Sequence, residues 1–162
     1  SDKPDGPQSI SLLADDLAHL LLALHVHRAH VVGVSFGGFV AQEFALKYPA
    51  MTRKLVLCCT SFGGPNHVQP EREMELASIR ELNSSQFEAA LSFNAESRLE
   101  GIRSPTLVLS GDADEIVPVQ NSRNLAAKIP GAKLCIVAGG SHTFFIDRAE
   151  EFNHLVTDFI CD

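Results

Sequence analysis

The chain has 162 residues, 45% of them hydrophobic and 20% charged, the balance of one soluble globular domain with a core of its own. Thirteen Lys and Arg against twenty Asp and Glu give a net charge of −7, which argues against nucleic acid or an anionic membrane surface as partner, since either requires a basic face. The most apolar stretch, residues 10–26, is broken by Asp15, Asp16 and His19 and falls short of the roughly 20 residues of a membrane span, and the polar, acidic first residues show no secretory leader.

In chain order, Ile10, Leu13, Leu17, Leu20, Leu21 and Leu24 recur at helical spacing, so residues 10–24 read as a helix with Ser9 or Ser11 as N-cap. Residues 31–34 form a short apolar run of the buried-strand type, and residues 39–48 read as a helix stopped by Pro49. A second buried strand is predicted at residues 54–60, followed by a turn-rich segment to residue 70. Residues 71–93 read as helical with a polar break at Asn83, Ser84 and Ser85. Two more buried strands, residues 106–110 and 134–138, flank a helix at residues 119–129, and a last helix covers residues 148–160. Wholly apolar strands separated by amphipathic helices imply an α/β domain: a mainly parallel sheet of about four strands, covered by helices on both faces. Neither a repeat nor a low-complexity linker divides residues 1–162.

The four cysteines form no disulfide framework and no zinc spacing. Cys58 and Cys59 are adjacent in a strand that would point them to opposite faces, Cys135 lies in another apolar run and Cys161 near the end of the chain. They read as reduced thiols of a cytoplasmic protein. His25, His27 and His30 form H-x-H-x-x-H at a helix end with no acid or cysteine to complete a metal site, and read as a solvated turn, while His19 and His154 read as helix-surface residues. No GxGxxG or Walker-type loop is present and the cations are scattered, so neither cofactor nor metal is expected.

Chemistry concentrates where the first strand meets a helix, at Val31-Val32-Gly33-Val34-Ser35-Phe36-Gly37-Gly38-Phe39. G-x-S-x-G in that context is a nucleophile elbow: a sharp strand-to-helix turn lifts the Ser35 hydroxyl above the sheet. Gly33 and Gly37 are expected to flank it because side chains there would collide with strand and helix. The helix N-terminus offers free N–H groups to developing negative charge, and the Phe36 N–H is the candidate oxyanion donor. A serine nucleophile requires a base and an orienting acid, expected on loops at the C-terminal ends of later strands. The third strand runs into Ser110-Gly111-Asp112-Ala113-Asp114-Glu115, which offers three acids, and the fourth into Gly139-Gly140-Ser141-His142. Phe36, Phe62, Val117 and Phe144 flank these loops and are candidates for an apolar acyl pocket, with Phe145 as readily a core residue.

These motifs, together with Arg103-Ser104-Pro105-Thr106-Leu107-Val108-Leu109-Ser110-Gly111 and the aromatic pair after His142, resemble the α/β-hydrolase superfamily, in particular its bacterial esterases and enol-lactone hydrolases. The resemblance implies a triad of Ser35 as nucleophile, Asp114 as acid and His142 as base, with Asp112 and Glu115 left as solvated turn residues. It also implies that Ser1-Asp2-Lys3-Pro4 corresponds to the loop after the family's fourth strand, so that its first four strands are lacking. The family's cap would be reduced to about residues 62–104. The family's second oxyanion donor, on the loop after its third strand, would be missing, a loss that typically costs about 10²–10³ in kcat. That strand neighbours the elbow strand in the family, so residues 31–34 would form a bare apolar sheet edge.

A homodimer or larger assembly covering that edge is expected, the rival being a separate N-terminal fragment. The expected activity is hydrolysis of small carboxylic esters or related acyl compounds. The alternatives are a weakly active or inactive binding scaffold, or a lactonase, thioesterase or perhydrolase with the same triad; a dehalogenase would carry Asp in place of Ser35.

Overall fold

Four short apolar segments assemble side by side in the computed structural model, which describes residues 8–70 and 84–162. β1 (Ala29–Val34), β2 (Thr52–Cys58), β3 (Thr106–Gly111) and β4 (Lys133–Val137) form one sheet in chain order, and every neighbouring pair is parallel. β3 is buried along its whole length, as is the second half of β2, which is why those segments read as unbroken apolar runs. Parallel neighbours require crossovers, and helices supply most of them. The helices are α1 (Ile10–Ala23), α2 (Phe36–Lys47), α3 (Ser84–Ser92), α4 (Gln120–Lys128), the single turn α5 (Phe144–Asp147) and α6 (Ala149–Cys161).

Side-chain alternation along the strands splits the core into two layers. Leu55, Leu57 and Val108 pack with Ile10, Ala14 and Ala18 of α1, Phe44 of α2 and Leu125 of α4. Val56, Cys58, Leu107, Leu109 and Val137 pack on the opposite face with Phe144, Val156 and Phe159. The expected α/β architecture, a four-stranded parallel sheet with both faces covered, is the one observed.

Most boundaries fall within a residue or three of the sequence reading. The Ser9 hydroxyl accepts the Leu12 N–H at 3.1 Å and caps α1. Of the polar break expected at Asn83, Ser84 and Ser85, Ser84 and Ser85 are the first residues of α3, and Asn83 lies outside the described residues. Residues 71–83 of the expected helix, and the loop at residues 1–4, lie outside the described residues. The 3₁₀ turns Pro49–Met51 and Glu96–Gly101, and α5, are too short to leave a periodic signal.

One feature of this frame positions the loops at the C-terminal edge of the sheet. The loops after β3 and β4 touch backbone to backbone: a Cβ on Gly111 would lie 1.9 Å from the Gly140 carbonyl oxygen. The Ala113 N–H donates to Gly140 at 3.0 Å and the Gly139 N–H to the Asp112 carboxylate at 2.6 Å. At the other end of the sheet order β1 pairs, among the described residues, with β2 alone, and Val32 is 44% exposed.

Candidate active site

Ser35, in the turn between β1 and α2, takes an unusual backbone conformation, φ 50° and ψ −119°. A non-glycine residue holds such angles only where its surroundings fix it. Here its N–H donates to Cys58 at 2.8 Å, extending the β1–β2 ladder, and its carbonyl accepts the Gly38 N–H at 2.9 Å. The strand and helix on either side approach too closely for side chains at two glycines. A Cβ on Gly33 would meet the Gly37 carbonyl at 2.5 Å and the Ala41 Cβ at 2.6 Å, and one on Gly38 would lie 2.4 Å from Thr60 Oγ1. Gly37, by contrast, has open space around its Cβ position. The expectation that Gly37 is crowded is thus corrected: the second glycine under steric demand is Gly38. Phe36 is the first residue of α2, where the amide N–H has no intrahelical acceptor.

The loops after β3 and β4 carry the two other polar groups to this turn. His142 Nε2 lies 3.1 Å from Ser35 Oγ, and His142 Nδ1 lies 2.9 Å from Asp114 Oδ2 and 3.1 Å from Oδ1. An ionised carboxylate only accepts hydrogen bonds, so Nδ1 carries the proton, and a neutral imidazole is left with Nε2 to accept from the serine hydroxyl. The Asp114 side chain has no exposed surface, and the His142 side chain is 13% exposed. Asp114 Oδ1 also accepts the N–H groups of Ile116 at 2.9 Å and Val117 at 2.8 Å, which hold the carboxylate in place. Of the neighbouring acids, Asp112 and Glu115 are exposed, and Asp112 caps the Gly139 amide instead.

The aromatic candidates divide. Phe36 and Val117 are half-buried beside the site, and Phe36 meets Phe39 edge to face at 6.4 Å. Phe62 and Phe144 are corrected as pocket walls: they are 1% and 0% exposed and lie in the two core layers, Phe144 against Phe152 of α6. Phe62 lies in the turn after β2 and Phe144 opens α5, and the sequence does not display which side of the backbone either ring takes. Phe145 is half-buried and packs on Phe152. The segment after β2 is a buried turn held from α2, where the Gln42 side chain donates to the carbonyls of Gly38 at 3.0 Å and Ser61 at 2.8 Å.

A residue that no motif indicated also reaches the site. Cys59, just past β2, takes φ 47°, leaves the strand's alternation and is fully buried. The two adjacent thiols therefore do not face opposite sides of the sheet; their sulfurs lie 3.7 Å apart. The Cys58 thiol, burial and the Asp114 charge all push the Cys59 thiol far above the usual thiol range. The His25, His27 and His30 cluster gathers no three metal-ligating groups among the described residues.

The sequence model described as "alpha/beta hydrolase fold" matches residues 1–81 and 75–149. A poly(3-hydroxyalkanoate) depolymerase of Ectopseudomonas oleovorans is 33% identical to this chain, over an alignment covering 99% of the chain and 70% of the depolymerase. That alignment runs over 200 positions against 162 residues, so at least 38 of its positions face gaps in this chain. A solved structure described as an N-acyl homoserine lactone degrading enzyme superposes with a TM-score of 0.81 at 29% identity, over 98% of this chain and 77% of the other. The enol-lactonase of Burkholderia xenovorans LB400 shares the fold with a TM-score of 0.85 at 24% identity, over 99% of this chain and 76% of the other.

Proposed function

The chain belongs to the alpha/beta hydrolase fold family, and on that premise we propose that it is a serine hydrolase cleaving carboxylic esters or related acyl–oxygen bonds through an acyl-enzyme. The observation that carries this reading is the continuous hydrogen-bonded line from Ser35 through His142 to Asp114. His142 Nε2 takes the hydroxyl proton as Ser35 Oγ attacks the carbonyl, and returns it to the departing alcohol. Asp114 keeps the imidazole in the tautomer that accepts at Nε2 and stabilises the imidazolium formed in between. The Phe36 N–H and the N-terminal end of α2 meet the negative charge that develops on the carbonyl oxygen. Water activated by the same histidine then releases the acid.

Phe36 and Val117 are the apolar surfaces proposed to contact the acyl group. The depolymerase and the N-acyl homoserine lactone degrading relative support the bond class, since a polyester and a lactone both present an acyl–oxygen bond. Lactone opening is accordingly the second reading, favoured by the latter relative at 29% identity. Turnover of short-chain p-nitrophenyl esters and of a γ-lactone by the purified chain tests both. The reading expects hydrolysis that Ser35→Ala removes; hydrolysis undiminished in Ser35→Ala would place the chemistry elsewhere.

A further inference from the structure

One group of three metal-ligating side chains comes together among the described residues, and it shares two members with the triad. The Cys59 thiol, the Asp114 carboxylate and a ring nitrogen of His142 offer ligand atoms that all lie within 4.8 Å of one another. The thiol has no part in the acyl transfer described above. We propose that Cys59, Asp114 and His142 form a site for a thiophilic divalent cation, with Zn²⁺ the natural occupant, and that its occupation switches the hydrolase off. The switching half rests on the reading of Ser35 and His142 under Proposed function; the binding half stands on the cluster alone.

Bonds of about 2.0–2.3 Å from zinc to nitrogen, oxygen and sulfur place tetrahedral ligand atoms roughly 3.5 Å apart. No pair of the three, all within 4.8 Å, therefore has to close by much more than about an ångström, while His142 Nδ1 and Asp114 Oδ2, 2.9 Å apart, have to open by roughly half an ångström, shifts that side-chain torsions cover. Nitrogen, carboxylate oxygen and sulfur from three loops make a mixed donor set, and the sulfur selects zinc or cobalt over magnesium or calcium. Three protein ligands leave a fourth position for water.

Binding carries a defined proton balance. Sulfur ligates as thiolate, so the Cys59 S–H bond breaks and its proton goes to solvent. The Cys58 thiol, burial and the Asp114 charge keep that proton on in the free protein, and the double charge of the cation reverses the preference. His142 faces Asp114 through Nδ1, so the cation takes Nδ1 and the proton displaced there is carried at Nε2. An Nε2–H group is a donor toward Ser35 and no longer a base. Zinc thus locks the imidazole in the wrong tautomer without touching the serine.

Cobalt reports the binding directly, because a Co²⁺–thiolate bond gives a near-ultraviolet charge-transfer absorption. The full chain should bind one Co²⁺ with that absorption and lose it on adding Zn²⁺. Cys59→Ala and Cys59→Ser should lack it, whereas Cys135→Ser and Cys161→Ser should keep it. In parallel, Zn²⁺ should lower p-nitrophenyl ester turnover at least tenfold, EDTA should restore it, and Cys59→Ser should raise the Zn²⁺ needed for half-inhibition at least tenfold. A wild-type chain without the absorption, or an absorption that survives Cys59→Ser, overturns the site whether or not the ester is cleaved. Zinc bound through Cys59 without loss of turnover overturns the switch. Absorption in a chain that has no metal-free turnover overturns the hydrolase reading and leaves the cation site standing. Should Cys59→Ala fail to fold, the nearly isosteric Cys59→Ser decides.

Discussion

Ser35, His142 and Asp114 lie on three separate loops; the elbow motif and the fourth strand's end point to Ser35 and His142, whereas the third strand's end offers three acids and only the family resemblance singles out Asp114. The carboxylate's two backbone donors, Ile116 and Val117, make a sharp prediction at this scale. Asp114→Asn keeps an oxygen for those amides, so the fold should hold. The variant loses the acceptor that fixes the Nδ1–H tautomer, and kcat should fall by about 10⁴ with little change in KM. A loss below tenfold in steady-state ester kinetics would remove Asp114 from its role. Cys59 was illegible for a complementary reason: its partners lie one loop away in space and far away in sequence, and only its positive φ turns it toward them. Phe62 and Phe144 misled because flanking a catalytic loop in sequence does not fix which side of the backbone a ring takes.

At the scale of elements, the elbow depends on α2 lying almost in contact with β1. Gly33→Ala would push a methyl against the Gly37 carbonyl and the Gly38 Cα, both backbone atoms with little freedom to move. Urea unfolding should show a loss of about 1–3 kcal/mol, the usual cost of overpacking, together with lost turnover. Gly37→Ala meets nothing within 4 Å and should be tolerated far better. The α1–α2 contact carries a pH prediction. The Asp15 carboxylate accepts from the Lys47 ammonium at 2.5 Å and the Tyr48 hydroxyl at 2.6 Å, and these bonds hold its pKa below the ordinary 3.8. A carboxylate with a lowered folded pKa stabilises the fold above its unfolded value and loses that contribution as pH falls through the folded one. Wild type should therefore lose more Tm than Asp15→Asn between pH 5 and about pH 3, and equal losses would show that the tie contributes nothing. The longer helices were readable from their periodicity; the caps and short turns were not, because an element of three to six residues leaves no period.

For the molecule as a whole, the apolar strand runs were enough to read a parallel sheet with both faces covered, since only such strands can dispense with polar positions. The place of residues 31–34 at the end of the sheet was implied only by the family resemblance, and the proximity of Gly111 to Gly140 was not readable, because both arise from contacts between distant segments. β1, the strand that leads into Ser35, pairs along one edge only among the described residues, and its Val32 is 44% exposed. An open apolar edge invites another strand, and we propose that a second copy of the chain covers it. Light scattering at micromolar concentration should give twice the chain mass or more, and Val32→Lys should return it to a monomer with unchanged secondary structure; a monomeric wild type would refute the assembly. The central claim, a serine nucleophile raised by histidine, is tested most directly by mass spectrometry of the intact chain after treatment with a fluorophosphonate. One adduct per chain, mapping to Ser35, absent from Ser35→Ala and formed much more slowly by His142→Ala, is the predicted result. No adduct on the wild type, or equal labelling of Ser35→Ala, would contradict it.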